Sequence, residues 1–486
     1  MKLLLYVVLF CAMFSCALTG VAPAATPLDD FSGNRPDSSK WYGRFWYEDG
    51  LIMVREVTGG KLVSKIGGRT DDNGIASNST GLIPSEEVTS FSAKVSYIEG
   101  AYGPAVDDND MYGLFAEISG NFYKTAEGAG GDVGSSIGIR YQEDNQGTTL
   151  EIFARVYTPS GQIDTPFTTT ITSGQEYILK IDYDGDHTLT FSVSDGSQTE
   201  SHAVTGPTRS GATDGPGLYL GSSIIAAGNI IGGGYVHATF DDVMVNGSLY
   251  DDFSSAPLDG NKWIDHEIVR EIRDNRLQMN VQNTFGEPSA DNQIYLQPQH
   301  ITNYFQADVI VSGDSVYNGD AHGEALVYGS FYNSMHDGTA SSYNDSEGDI
   351  YAGTTVSQDA NGNLQPQAWV VQCDDSQCDQ ISLLYGQNFS SCQVQADTPT
   401  TFSVENREAD ATIIFHCDQD ELSYQLTGPL YAPRYKLRKL KTSVKSNGNG
   451  TGYIKAAFDN VFVKKSRKKS PWNLFLPAIL TTGAKK

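Results

Sequence analysis

Apolar residues fall at every second position in several stretches of this chain, the period of a strand that turns one face to a core. Phe91-Ser92-Ala93-Lys94-Val95-Ser96-Tyr97-Ile98 places Phe, Ala, Val and Tyr on one face, and Phe305-Gln306-Ala307-Asp308-Val309-Ile310-Val311 repeats the arrangement. Tyr177-Ile178-Leu179-Lys180-Ile181-Asp182-Tyr183 and Leu189-Thr190-Phe191-Ser192-Val193 flank Asp184-Gly185-Asp186, which predicts a hairpin with an Asp-Gly turn. Residues 401–405 and 411–415 form its counterpart. Strands roughly 8–15 residues apart, separated by Gly, Asn and Asp, predict an antiparallel two-sheet sandwich. The 50 glycines, 26 tyrosines and low charged fraction of 19% agree with many short strands and no long helix.

These patterns occur twice. Asp29-Asp30-Phe31 with Lys40-Trp41 returns as Asp251-Asp252-Phe253 with Lys262-Trp263, and Val54-Arg55-Glu56 as Val269-Arg270-Glu271. Phe122-Tyr123 matches Phe331-Tyr332, and Phe240-Asp241-Asp242-Val243 matches Phe458-Asp459-Asn460-Val461. The spacing drifts between landmarks, as insertions in loops make it do while strands keep register. A chain of 486 residues is too long for one core. The expected organisation is a signal peptide at 1–24, one sandwich at 25–247, a second at 248–464 and a tail at 465–486. Trp41 and Trp263, at equivalent places, are expected in the cores.

Lys2, an apolar run from Leu3 to Phe14 and the ending Ala22-Pro23-Ala24 describe a secretory signal cut near Ala24; lipidation at Cys16 is the alternative. The protein is therefore expected outside the cell or on its surface. Cys373, Cys378, Cys392 and Cys417 remain after cleavage. Three pairings are open to them, and Cys373–Cys378 at a hairpin tip with Cys392–Cys417 between neighbouring strands is favoured over a zinc site. Net charge is −26, while residues 464–486 carry Lys and Arg but no acid. So acidic a body excludes nucleic acid as a partner of the folded part. The tail, Lys464-Lys465-Ser466-Arg467-Lys468-Lys469 followed by the apolar stretch 471–480, suits a sorting or surface partner.

An opening Asp-Asp-Phe-Ser, a Lys-Trp soon after it, a central Phe-Tyr strand and a closing Phe-Asp-(Asp/Asn)-Val strand resemble the concanavalin A-like lectin/glucanase jelly roll, especially its laminin-G-like and laminarinase-like relatives. The resemblance covers 28–246 and 250–464. It implies an all-β fold of two tandem antiparallel jelly-roll sandwiches, and a superfamily of lectins, hydrolases, lyases and adhesion modules. The laminarinase-like hydrolases carry Glu-x-Asp-x-x-Glu on one strand. Here Phe115-Ala116-Glu117-Ile118-Ser119 has Glu117 alone, and its opposite number, 325–330, has no carboxylate. Glu117 and Glu151, on different strands, are the remaining candidates for the carboxylate pair a glycosidase requires.

Asp107, Asp108 and Asp110 form an oxygen-rich loop that is a candidate calcium site, as the resemblance implies. Asp182-Tyr183-Asp184-Gly185-Asp186 also has calcium-like spacing, but the flanking strands favour a hairpin turn. Trp46, Tyr112, Tyr332 and Trp369 are candidate groove aromatics for a ligand. Arg434-Tyr435-Lys436-Leu437-Arg438-Lys439-Leu440-Lys441 reads as a basic strand edge that binds an acidic polymer or guards against edge pairing. These features favour an exported, non-catalytic protein that binds glycan or extracellular matrix polymer. The alternatives are a polysaccharide-active glycoside hydrolase or lyase and a structural surface-layer or matrix protein.

Overall fold

The computed structural model describes residues 26–43, 50–70, 75–82, 87–103, 111–125, 131–144, 147–213, 217–226, 233–284, 286–335, 346–433 and 436–463. The signal region, Trp46, the 107–110 loop and the tail lie outside them. Every strand pairing is antiparallel, and among the described residues the only helix is the 3₁₀ turn Pro298–His300. The all-β sandwich class expected from the alternation is the class observed.

Among the described residues three sheets build the molecule. A six-stranded sheet runs Ile75–Leu82, Leu218–Ala226, Met111–Lys124, Asp132–Asp144, Gly147–Thr158, Gly161–Pro166. A seven-stranded sheet runs Trp41–Tyr42, Ser289–Leu296, Arg438–Lys445, His322–Asn333, Asp349–Gln358, Leu364–Cys373, Ile381–Asn388. A sixteen-stranded sheet packs against both. Its first half contains Ser90–Tyr102, Gly233–Val245, Lys61–Arg69 and Gly50–Thr58, and its second half continues through Ile268–Arg273, Arg276–Asn283, Thr451–Val463 and Tyr304–Val311. Each half and its covering sheet enclose a separate core.

The junction is one strand pair, with Val54 opposite Val269, Arg55 opposite Ile268 and Met53 opposite Arg270. Val54 and Val269 are equivalent in the two repeats, so a local twofold axis passes between them. The two sandwiches therefore share a continuous sheet. Each buried arginine beside the axis ties this sheet to a covering sheet by the same device. Arg55 Nη1 donates to Asn78 Oδ1 (3.0 Å), and Arg270 Nη1 donates to Asn292 Oδ1 (3.0 Å). The asparagines in turn donate to the carbonyls of Val54 and Val269, both at 2.6 Å. Charged groups this deep persist only when hydrogen-bonded, and in both repeats the same Nη1 also donates to a carbonyl of the covering sheet, Ser79 O (2.8 Å) and Gln293 O (3.0 Å).

The opening segments of the repeats are exchanged. Phe31 and Trp41 of the first repeat lie in the second core, and Phe253 and Trp263 of the second repeat lie in the first. Both tryptophans are fully buried, as expected. The indole N–H of Trp41 donates to Asp29 (2.8 Å) and that of Trp263 to Asp251 (2.8 Å), while Phe31 and Phe253 stack on the indoles at 5.8 and 5.4 Å. Asp29 and Asp251 also accept the N–H of Phe31 and Phe253, holding them at φ of 48° and 49°, a region a phenylalanine rarely occupies. The halves 25–247 and 248–464 thus describe the repeat, whereas packing assigns residues 28–42 to the second sandwich and 250–264 to the first.

Cys373 pairs with Cys378 across a hairpin tip (Cα–Cα 4.8 Å). Cys392 pairs with Cys417 (5.8 Å), tying the connection after Ile381–Asn388 to a strand of the large sheet. Two disulfides are typical of extracellular proteins. The 182–186 stretch is a turn: Asp184 accepts the backbone N–H groups of Asp186, His187 and Thr188, which hold its pKa down to about 2. The basic run is not an edge. Arg438–Lys445 is an interior strand of the seven-stranded sheet, hydrogen-bonded on both sides, so edge protection does not explain its lysines.

Candidate functional site

Inward residues of the seven-stranded sheet, among them Ala325, Val327, Ala352, Ala368, Val370 and Leu440, fill the second core. Alternation then turns their strand neighbours outward. One outward row crosses all seven strands: Tyr42 opposite Tyr295, Tyr295 opposite Lys439, Lys439 opposite Tyr328, Tyr328 opposite Gly353, Gly353 opposite Trp369 and Trp369 opposite Gly386. Seven strands spaced about 4.8 Å apart make the row about 29 Å long. Its first member arrives on the exchanged segment, so both repeats build it.

The rings are held by specific contacts. Tyr42 stacks on Tyr295 at 5.2 Å, and Tyr328 meets Trp369 at 5.5 Å. A side chain at Gly353 would strike Tyr328 Cβ at 2.3 Å and the Trp369 ring at 3.0 Å, so glycine there lets the two aromatics close over the intervening strand. Trp369 Nε1 donates to Thr355 Oγ1 (2.6 Å), fixing the indole. Lys439 Nζ lies 4.6 Å from the ring centre of Tyr295, 5.3 Å from Tyr328 and 5.8 Å from Tyr351. Tyr295 and Tyr328 are 9% exposed, whereas Tyr42, Tyr351, Lys439 and Trp369 each keep more of their surface in solvent. The next lysines on this strand are neutralised, Lys441 by Asp291 (2.8 Å) and Lys445 by Glu324 (2.7 Å).

The same row in the first sandwich reads Ile264, Gly81, Tyr219, Ser119, Ser136, Arg155, Asp164. It holds one aromatic ring and an Arg155–Asp164 ion pair (2.5 Å). One position along lies Glu117, between Gly221 and Gly138 on the adjacent strands. A Cβ on Gly138 would come within 2.7 Å of Glu117 Cβ and of the Phe153 ring, so glycine admits both. Glu117 keeps some exposed surface, but protein atoms crowd its carboxyl and this desolvation pushes its pKa up to about 7; Ser223 Oγ, at 3.4 Å, acts weakly in the other direction. Glu151 is opposite Arg140 and accepts its Nε at 2.6 Å. Across the intervening strand Glu117 is in register with Phe153, so Glu151 lies two strands over and two residues along, about 12 Å away at ordinary strand geometry and more than twice the separation a nucleophile and acid would need.

Of the aromatics singled out in the sequence, Trp369 joins the outward row. Tyr332 does not: the register shifts between Ser330 and Tyr332, its ring packs against the second core, and its hydroxyl donates to Asn406 (2.9 Å). Tyr112 is on the strand Met111–Lys124, with its side chain outside the described set, and Trp46 and Asp107, Asp108 and Asp110 lie outside it altogether. Among the described residues no group of three or more His, Cys, Asp or Glu is placed to hold a metal. Sequence reading missed Tyr42, Tyr295, Tyr328 and Tyr351.

The fold and this row define a double antiparallel β-sandwich with an aromatic, lysine-bearing outward face. No family model matches the chain, and no curated protein matches it in sequence. Among solved structures it is similar to a bifunctional GH43-CE protein of Bacteroides eggerthii, at 11% identity and a TM-score of 0.23, over 89% of this chain and 64% of that one. The chain thus spans under two thirds of that protein, and the likeness is too slight to carry an argument about function.

Proposed function

We propose that the protein is an exported glycan- or matrix-binding protein of concanavalin A-like type whose ligand lies along the outward row of the seven-stranded sheet. The observation that carries this reading is the aromatic row itself. Tyr42 and Trp369 offer flat apolar faces at either end, on a surface about 29 Å across, and the C–H faces of sugars are recognised by such rings with polar groups at their margins. The two disulfides support export. Binding to an array of polysaccharides tests the reading: Trp369→Ala and Tyr42→Ala are expected to lower affinity at least about tenfold, as loss of an aromatic anchor does. Wild-type affinity in both variants would remove the site.

A second reading, hydrolysis, is favoured by one observation. Burial lifts the Glu117 pKa to about 7, so its carboxyl keeps a proton about half the time at neutral pH, while Glu151 is ion-paired with Arg140, a division of roles suited to acid and base. Their separation argues against a shared retaining mechanism. A reducing-sugar assay over the same panel decides it: release that is lost in Glu117→Gln would establish an enzyme.

A further inference from the structure

We infer that the first sandwich carries a second ligand site, a cleft at one end of its core that takes a neutral saccharide of one or two rings; it goes beyond the outward row and does not depend on it. The cleft lies between the strand Ser90–Tyr102 of the large sheet and the strands Asp132–Asp144 and Gly147–Thr158 of the six-stranded sheet, with Ile171 and Ser173 completing its wall. Its volume is about 450 Å³, within the range of roughly 300–1,000 Å³ that small-molecule sites occupy. Tyr97, Tyr141, Leu150 and Ile171 supply the apolar part of the wall, and the exposed residues Thr148, Thr149 and Ser173 bring hydroxyls to it.

The Tyr97 hydroxyl is the group that points to a ligand. The residue is 1% exposed, yet among the described residues its hydroxyl has no hydrogen-bond partner. Buried hydroxyls are nearly always paired, so one left open on a cavity wall marks a position where a polar atom belongs. It faces the cleft: a Cβ on Gly100, another wall residue, would fall 2.2 Å from the Tyr97 hydroxyl and 3.1 Å from Tyr141 Cγ. Glycine thus keeps the phenol and the Tyr141 ring open to the same space. Tyr141 is itself fixed, parallel to Tyr97 at 6.3 Å and edge-on to Tyr102 at 5.6 Å.

The second sandwich closes the same end. Val311 stands opposite Ala456 as Tyr97 stands opposite Ala238, and Gln358 stands opposite Gly323 as Tyr141 stands opposite Leu114. There the ring of Tyr317, 8% exposed, lies against Gly323, and its hydroxyl donates to Gln358 Oε1 (3.3 Å). A tyrosine of the chain fills that end with its hydroxyl satisfied, so the fold does not require the cleft or the unpaired hydroxyl of the first sandwich. Among the described residues that line the cleft none is basic, and its one charge, Glu99, is paired with Arg35 (3.4 Å), so an anion gains nothing there. A neutral sugar ring matches both parts of the lining, its C–H face against Tyr141 and Leu150, one hydroxyl to Tyr97 and others to the rim.

Titrations followed by saturation-transfer NMR on the full-length protein, with cellobiose, maltose and lactose as separate probes, test the site. At least one disaccharide is expected to receive saturation from the protein. Tyr97→Phe, which removes one unpaired oxygen and leaves the core filled, should weaken that binding about tenfold without lowering the unfolding midpoint. Thr149→Trp, at the exposed rim, should abolish it by obstruction, and Trp369→Ala should leave it unchanged. Binding lost in Trp369→Ala and kept in Tyr97→Phe would put the sugar on the outward row, overturning the cleft while supporting the glycan reading. No saturation of any of the three sugars, or wild-type affinity in both Tyr97→Phe and Thr149→Trp, would overturn the cleft, and the polysaccharide array would still decide the row. Loss of stability together with affinity in Tyr97→Phe would also overturn it, because the hydroxyl would then be a structural partner and not a ligand contact.

Discussion

The outward faces of the two covering sheets began as one surface and now differ at nearly every position of a single row. Tyr42, Tyr295, Lys439, Tyr328, Gly353 and Trp369 stand in the second sandwich where Ile264, Gly81, Tyr219, Ser119, Ser136 and Arg155 stand in the first. Behind those rows the scaffold is unchanged: the same Asp–Trp pairs at 2.8 Å, the same Arg–Asn pairs at 3.0 Å, the same left-handed Phe. The contrast separates residues kept for folding from residues free to acquire a ligand. It also explains why neither copy's chemistry can be read from the other.

The scaffold half of that comparison is broken or sharpened by the largest effects. Trp41→Ala and Trp263→Ala should each cost about 3–5 kcal/mol in urea unfolding. Amide exchange should then loosen the partner sandwich: residues 277–281 and 454–458 for Trp41→Ala, and 62–66 and 236–240 for Trp263→Ala. Loosening confined to the mutated tryptophan's own repeat would contradict the exchange. An asymmetry comes next. Glu267, 1% exposed, accepts the N–H groups of Val57 and Leu258 where the first repeat has Ile52, and burial raises its pKa to about 7. Because the folded pKa lies above the ordinary glutamate value of 4.5, its contribution is complete below about 4.5 and is lost as pH rises through about 7. The loss is about 3 kcal/mol, and Glu267→Gln should flatten the unfolding free energy between pH 4 and 8.

Smaller effects address the faces. Glu117→Leu installs the residue that the second face carries at Leu326. Allowing for partial exposure, it should stabilise the protein by about 1–2 kcal/mol at pH 8 and leave it unchanged near pH 4, as read by thermal or urea unfolding. Trp369→Ala and Tyr219→Ala should each change stability by about 1 kcal/mol or less. Only the former should weaken glycan binding; an equal loss in both would mean the two faces had not diverged in use.

Much of the scaffold was legible because it depends on local chemistry and period. The strands about Phe91 and Phe305, the Asp184 turn and both cysteine pairs follow from alternation, turn residues and spacing. The exchange was not legible: the sockets for Trp41 and Trp263 are made of the same residue types, so sequence identifies the plug and not the copy that receives it. The outward row was hidden for a different reason. Leu326 and Tyr328 face out while Ala325 and Val327 face in, so both sides of that strand are apolar and alternation assigns neither. Tyr332 was misjudged because a one-residue bulge turns Phe331 and Tyr332 both toward the core.

Leu28 donates to Val461 O and Val461 donates to Asp29 O, both at 2.7 Å, so nearly the first and nearly the last of the described residues are stitched together. A polypeptide emerging amino end first must carry its opening tryptophan naked through synthesis of everything between. The first sandwich can close once Trp263 appears, but the second waits for the final strand. Premature arrest would therefore yield one finished body trailing an orphaned plug, a species that chaperones would meet and that a permuted chain starting at residue 50 would never produce.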